Sequence, residues 1–370
     1  MILAGDVGGT KTHLGLFSDD PLDAQPLAHA TYPSRDSGGL EAMTPRFYAE
    51  LREGRIAMRD GAVPRGEPFD PRLVRFACFG VAGPVENRRV ETTNLPWDVD
   101  AAALEQQLGL QTVALLNDLE ANAYGLPLVA NDQLVTLQHA GAASPAPRGN
   151  QAVISAGTGL GEAGLYWDGD AHRPFPSEGG HTDFAPRTEV QDELLRWLRA
   201  RFGRVSYERI VCGPGLVNLY EFFREKGGGG EPPALRDEMT SGDPAGAISR
   251  WALDGRSALC DQALTCFVDV FGAEAGNLAL KMLALGGVYI GGGIAPKILP
   301  RMRDGRFIEA FRDKGRLRPV VESMPVRVVL ESETAFLGAA RRARQLSAAA
   351  VVGRGESNPR LEPPREENER

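Results

Sequence analysis

The chain has 370 residues, is 42% apolar, and carries a formal net charge of −8 with a pI near 5.4. That acidity, without a basic stripe interleaved with aromatics, argues against a nucleic-acid partner, and the apolar share suffices for a large core in two domains. Four scattered cysteines (Cys78, Cys212, Cys260, Cys266) show no paired spacing, which excludes a disulfide or zinc framework and points to a reducing compartment. The first strand begins at Ile2, leaving no signal peptide, and no uninterrupted apolar run reaches membrane-spanning length. A cytoplasmic protein with no membrane partner is expected.

Residues 2–17 read as a buried strand, a glycine turn and a second strand. A third strand is expected near His29–Tyr32 and a helix over Leu40–Arg52. After a loop at Arg65–Pro71, Leu73–Val81 reads as a buried strand that ends at Ala82-Gly83-Pro84. Asp98 and Asp100 offer acidic caps for a helix over 101–108. Val113–Leu116 is another strand, stopping at Asn117-Asp118, and a helix starts at Leu119. A polar loop spans His139–Asn150. The second half opens with a strand over 152–156, a turn at Gly157, and a further strand running into a hairpin at Asp168-Gly169-Asp170. Helices follow near 189–201 and 214–225, and a glycine-rich stretch, Lys226–Pro233, reads as a mobile insertion. Residues 256–285 form a long apolar helix, Val326–Leu330 a late strand and Thr334–Arg344 a closing helix. Beyond Ala348 the chain is charged and proline-rich, the signature of disorder. Strands alternating with helices place the fold in the α/β class.

Asp6 precedes a Gly8-Gly9-Thr10 turn, so one carboxylate stands beside backbone N–H groups free of side-chain bulk. Such a turn can wrap phosphate oxygens while the acid holds a metal; taken alone, it reads equally as an ordinary hairpin. A P-loop is excluded, because Thr10 precedes Lys11 and a strand follows where a helix should start. Gly159-Leu-Gly161-Glu-Ala-Gly164 is a literal GxGxxG, with Glu178 at about the ribose offset. A strand and hairpin follow it, so no helix N-terminus would face a pyrophosphate and a nicotinamide dehydrogenase is the weaker reading.

Gly157-Thr158-Gly159 repeats the first turn after an apolar strand. Gly286–Ile294 supplies a third, ending in Gly291-Gly292-Gly293 with Pro296 expected to open a helix. Three such turns suit three parts of one nucleotide: two flank the β- and γ-phosphates and the third lets the adenosine lie against backbone. In this order, Gly5-Asp-Val-Gly-Gly-Thr10, Ala156-Gly-Thr-Gly-Leu-Gly161 and Gly291-Gly-Gly-Ile294 resemble the two phosphate motifs and the adenosine motif of the actin-like ATPase superfamily. Leu115-Leu-Asn-Asp118, Glu178-Gly-Gly-His181 and Glu208-Arg-Ile-Val-Cys-Gly-Pro-Gly215 narrow the resemblance to bacterial glucokinases of the hexokinase type, from residue 2 to about 345.

The resemblance implies a two-lobed actin-like (ribonuclease H-like) α/β fold with its active site in the cleft between lobes. The lobes would be a small domain, 1–127, completed by a helix at 332–348, and a large domain, 128–331, with a disordered tail at 349–370. It implies a homodimer and ATP-dependent phosphorylation of glucose at the 6-hydroxyl. Gly5, Asp6, Val7, Gly8, Gly9, Thr10, Gly157, Thr158, Gly159, Gly292 and Gly293 would bind ATP, and Asp6 would hold Mg²⁺ through water. A neutral sugar offers only hydroxyls, so its site wants carboxylates and amides: Asn94, Asn117, Asp118, Glu178, His181 and Glu208. Asp118 would be the general base; the competing role is an N-cap for the following helix. The chain departs from the family at Lys11-Thr12-His13 and at Glu162, where an apolar residue is usual; Glu162 is expected to turn outward. The alternatives are a kinase for another neutral hexose or amino sugar, or a sugar-responsive regulator. The latter lacks support, since no helix-turn-helix precedes the first turn and no cysteine cluster occurs.

Overall fold

Two units make up the chain, Met1–Asp118 with Phe336–Arg370 and Leu119–Ala335. The computed structural model describes residues 1–35, 37–62, 67–92, 95–140, 148–227 and 230–355.

In the first unit β1 (Ile2–Val7), β2 (Lys11–Phe17) and β3 (Pro26–Pro33) form an antiparallel meander. α1 (Leu40–Arg52) leads to β4 (Phe76–Val81), which lies parallel to β1. A short pair, β5 (Arg89–Glu91) and β6 (Asp98–Asp100), precedes α2 (Ala101–Leu108) and β7 (Thr112–Asn117), the latter parallel to β4. The sheet order is β3-β2-β1-β4-β7. Every residue of β4 is buried, as suits a parallel strand covered on both faces. α2 begins where Asp100 accepts the amides of Ala102 and Ala103 at 2.8 and 3.2 Å, and it ends at Gly109, whose φ of 68° favours glycine. Leu3, Val7, Leu14, Phe47, Phe79 and Leu104 belong to the core of this unit.

α3 (Asp118–Gly125) opens the passage into the second unit, followed by β8 (Leu134–Gln138), β9 (Gln151–Ala156), β10 (Leu160–Trp167) and β11 (His172–Ser177). Five helices come next: α4 (Glu189–Phe202), α5 (Gly213–Glu225), α6 (Pro233–Ser241), α7 (Pro244–Leu253) and α8 (Ala258–Met282). β12 (Gly287–Gly291), α9 (Leu299–Met302), α10 (Arg306–Arg312), α11 (Arg318–Glu322) and β13 (Val326–Val329) complete it. Its sheet order is β11-β10-β9-β12-β13-β8. Both sheets thus share one plan, a three-stranded antiparallel meander with two further strands laid parallel beside the one that comes first in the chain (β1 and β9), and the second sheet adds β8 antiparallel at its edge. By length and apolar content α8 could cross a membrane, but Leu259, Phe267, Phe271 and Leu278 are buried in the second core, which makes it a core helix. The last helix, α12 (Thr334–Gly355), serves the first unit. Phe336 meets Phe17 edge-on at 5.2 Å and fills the space that a side chain at Gly15 would need, and Arg344 donates to the Ser18 carbonyl at 2.9 Å.

Several expectations need correction. The strand expected from Leu73 starts at Phe76, because Pro71–Leu73 close a 3₁₀ turn capped by Asp70. The helix expected at Pro296 starts at Leu299. In the stretch read as a mobile insertion, Glu231 accepts from the Tyr220 hydroxyl at 2.9 Å and from Arg236 at 2.5 Å, and α6 starts at Pro233; residues 228–229 lie outside the described ones. The tail expected to be disordered from 349 is helical to Gly355, since Ala348, Ala349 and Ala350 extend α12. Residues 356–370 lie outside the described residues, as do 65–66 and 141–147 of the two expected loops.

Candidate active site

In the first unit the carboxyl ends of three neighbouring parallel strands lie in register: Val7 pairs with Val81, and Val81 with Asn117. The residues that follow each strand therefore meet at one edge of the sheet, where α/β folds present functional groups. They are the Gly8–Thr10 turn with Asp6 behind it, the Ala82-Gly83 bend, and Asp118. From the usual strand spacing, the β1 and β7 ends stand roughly 10 Å apart, with the β4 end between them. Gly8 donates to the Lys11 carbonyl at 3.0 Å. Ser34 secures the turn from β3, its Oγ donating to the Gly8 carbonyl at 2.7 Å and its amide to the Thr10 carbonyl at 2.9 Å. Asn117 is buried, with Nδ2 donating to the Gly83 carbonyl at 3.2 Å, and Asp118 is half-buried as the first residue of α3. Gly5 lies inside β1, where a Cβ would come within 2.6 Å of the Phe79 ring; packing explains that glycine. Asn94 lies outside the described residues.

The second unit repeats the arrangement. β9 and β12 run parallel with Ser155 opposite Gly291, so the Gly157–Gly159 and Gly292–Gly293 turns leave adjacent strand ends. Gly292 needs its φ of +84°, and Ile294 donates back to the Ala156 carbonyl at 3.2 Å. The amide of Gly213, at the start of α5, donates to the Gly157 carbonyl at 2.8 Å. Gly157, Thr158, Gly213, Asp243, Gly293 and Lys297 are among the residues lining one cavity of about 580 Å³. The first turns of α5 and α7 face it, so two helix N-termini and Lys297 present positive charge to it, opposed by the Asp243 carboxylate that caps α7.

Glu178, His181 and Glu208 come together in this unit. His181 Nδ1 is 3.7 Å from Glu208 Oε1 and its Nε2 is 4.0 Å from Glu178 Oε2. Two 3₁₀ turns, Gly179–His181 and Tyr207–Arg209, carry them. Glu208 also reaches the glycine turn: the Leu160 amide donates to its Oε2 at 3.0 Å, and a Cβ at Gly159 would sit 2.6 Å from that oxygen. Gly159 is small because a carboxylate rests on it.

The family model described as Glucokinase matches residues 3–346. A glucokinase of Nostoc sp. is 39% identical over 360 residues, covering 94% of this chain and 99% of that one. The crystal structure of a glucokinase from an Antarctic psychrotroph superposes with a TM-score of 0.74 at 30% identity, over 93% of this chain and 98% of that one. A ROK family glucokinase from Streptomyces griseus, solved in complex with glucose and AMPPNP, shares the fold at a TM-score of 0.60 and 20% identity, over 93% of this chain and 99% of that one.

The chain belongs to the glucokinase family.

Within this glucokinase-family chain, four features of the site escaped the sequence. Ser34 sits in an unremarkable loop, and only the strand register brings it under the first turn. Asp243 and Lys297 line the cavity from segments with no motif; a proline after Asp243 was the one available sign of a capped helix. The fourth is Glu162. It does not turn outward: β10 lies between β9 and β11 with both faces covered, and Glu162 is 1% exposed. It shares a strand face with Leu160, which packs in the core of the unit, so no outward direction exists for it.

Proposed function

We propose that the protein transfers the γ-phosphoryl group of ATP to the 6-hydroxyl of glucose, giving glucose 6-phosphate and ADP. The observation that carries this reading is the seat of Glu208 beside the Gly157–Gly159 turn, its Oε2 accepting from the Leu160 amide just after the turn and resting on Gly159, which joins a hydroxyl-accepting carboxylate to a phosphate-type turn within one unit. In this reading the small domain (1–127 with 332–348) supplies Asp6 and Asp118, and the large one (128–331) supplies Glu178, His181 and Glu208.

Each described residue has a role its setting suits. Glu178, His181 and Glu208 accept and donate to sugar hydroxyls, Asn117 adds an amide, and Asn94 extends the set. The Gly8–Thr10 and Gly157–Gly159 turns, whose first amides are spent on the Lys11 and Gly159 carbonyls, offer the phosphates the amides that follow, with the exposed hydroxyls of Thr10 and Thr158. The cavity bounded by Gly213, Gly293 and Lys297 takes the adenosine end. Asp6 is a single half-buried carboxylate beside the first turn, a donor that suits a cation keeping most of its water; among the described residues no group of three acidic, histidine or cysteine side chains forms a tighter cage. Mg²⁺ held there by Asp6 through water would neutralise phosphate charge. As the sugar oxygen bonds to the γ-phosphorus, the bond from that phosphorus to the β–γ bridging oxygen breaks, and Asp118 takes the hydroxyl proton. Most of the acceleration then comes from positioning.

The deciding experiment is a panel of neutral sugars with MgATP, following ADP release and the position of the new phosphate. Glucose should be phosphorylated at its 6-hydroxyl. Activity confined to phosphosugars, or none with any neutral hexose, would overturn the reading.

A further inference from the structure

Behind the two turns that carry Glu178, His181 and Glu208 lies a buried polar cluster that the reaction does not use. Glu162 on β10 and Glu274 on α8 are 1% and 0% exposed and face one another. Glu274 accepts from Lys281 Nζ at 3.1 Å and Asn277 Nδ2 at 2.8 Å, and the Tyr207 hydroxyl also bonds to it. Glu162 has none for its Oε1, so two ionised carboxylates would leave a buried oxygen unsatisfied beside a like charge. One proton on Glu162 removes both faults, because the neutral acid becomes a donor toward Glu274. Burial, with the Glu274 charge second, pushes the Glu162 carboxyl up to about 8.

The cluster reaches both sugar turns. Glu162 Oε2 lies against the Gly179 α-carbon, where any side chain would collide with it, and Gly180 is pressed equally close to the Leu160 carbonyl at the start of the same strand. These two contacts account for the paired glycines between Glu178 and His181. On the other side Asn277 Nδ2 donates to the Tyr207 hydroxyl at 3.1 Å, and Tyr207 is the residue before Glu208. Lys314, after α10, donates to Asn277 Oδ1 at 2.8 Å and to the Ala273 carbonyl at 2.9 Å. Burial and the neighbouring Arg187, itself paired with Asp313, hold Lys314 down at about 8. The charged or titratable groups around Glu162 are therefore Glu274 and Lys281 from α8, Tyr207 from its turn and Lys314 beyond them; the Gly179–His181 turn offers it backbone.

We propose that Glu162, as a neutral acid sharing its proton with Glu274, is a positioning residue that fixes the two turns presenting Glu178, His181 and Glu208 to the sugar. This rests on the glucokinase reading for its kinetic consequence, but its structural consequence stands independently. Ionisation of Glu162 puts two negative charges behind the turns and loosens them.

Wild type, Glu162→Gln and Glu162→Leu should be compared in glucose KM, kcat and amide exchange over residues 177–183 and 205–211. Gln keeps a neutral donor, so wild-type KM at pH 7 is expected, without the rise in wild-type KM above pH 8. Leu removes the Glu162 donor to Glu274, and KM should rise about tenfold while kcat changes less, with faster exchange in both segments. A Leu variant with wild-type KM and exchange overturns the proposal, as does a Gln variant that loosens like Leu. Should the Leu variant not fold, the pH profile decides: an identical alkaline KM rise in wild type and Gln overturns it. A wild type inactive on glucose would sink the functional reading alone, since the exchange comparison needs no turnover.

Discussion

Asp118 carries two possible duties, and they separate on substitution. As the first residue of α3 its carboxylate gains from the helix N-terminus, a gain an asparagine largely keeps. As a proton acceptor it has no substitute. Asp118→Asn should therefore melt like the wild type, bind glucose, and lose ~10²–10⁴ in kcat; turnover within a few-fold of wild type would remove Asp118 from the chemistry. Gly159 offers a second test. Its missing side chain makes room for Glu208 at a distance no Cβ tolerates, so Gly159→Ala should displace that carboxylate and raise the glucose KM about tenfold more than the ATP KM. Steady-state kinetics with each substrate varied would show it. At this scale the sequence displayed which residues were glycine but not why. Gly5, Gly159, Gly179 and Gly180 are small because a ring, a carboxylate or a carbonyl from a distant segment rests on them, and no local pattern reports a contact of that span.

Elements with a strong local code were legible. The N-terminal hairpin, α1, α2, β9 and α8 lie within a few residues of their expected positions, because alternation, turn glycines and acidic caps all act within a few residues. The short helices α6, α7, α10 and α11 were not foreseen, since helices of one to three turns owe their existence to the surface they pack against. α12 is legible in its apolar residues, and the resemblance implied that it completes the small domain, but the bonds that hold it there were not legible. Arg344 on that helix is 6% exposed and donates to the carbonyls of Ser18 and Asp23, more than 300 positions earlier in the chain. Arg344→Ala would strand both carbonyls, and a loss of about 1–3 kcal/mol is expected, read as a lower urea midpoint for the first unit. An unchanged midpoint would mean the helix is held by its apolar face alone.

For the whole molecule, the buried cluster around Glu162 links stability to pH in a way the net charge of −8 does not suggest. The folded chain holds the Glu162 proton more tightly than the unfolded chain does, with the carboxyl raised from 4.5 to about 8. Its contribution is fully present below pH 4.5 and is lost as pH rises through 8. Lys314 acts in the next window. Lowered from 10.5 to about 8, it is more readily deprotonated in the folded chain, so stability is regained between pH 8 and 10.5. The second unit should accordingly be least stable near pH 8. Glu162→Gln removes the first limb while leaving the second, so its melting temperature should gain on the wild type steadily from pH 5 to 8, by on the order of 5 °C at the upper end. Differential scanning calorimetry across that range would measure it. Parallel curves for the two proteins would show that Glu162 is already ionised in the native state and that its burial is offset by something other than a shared proton.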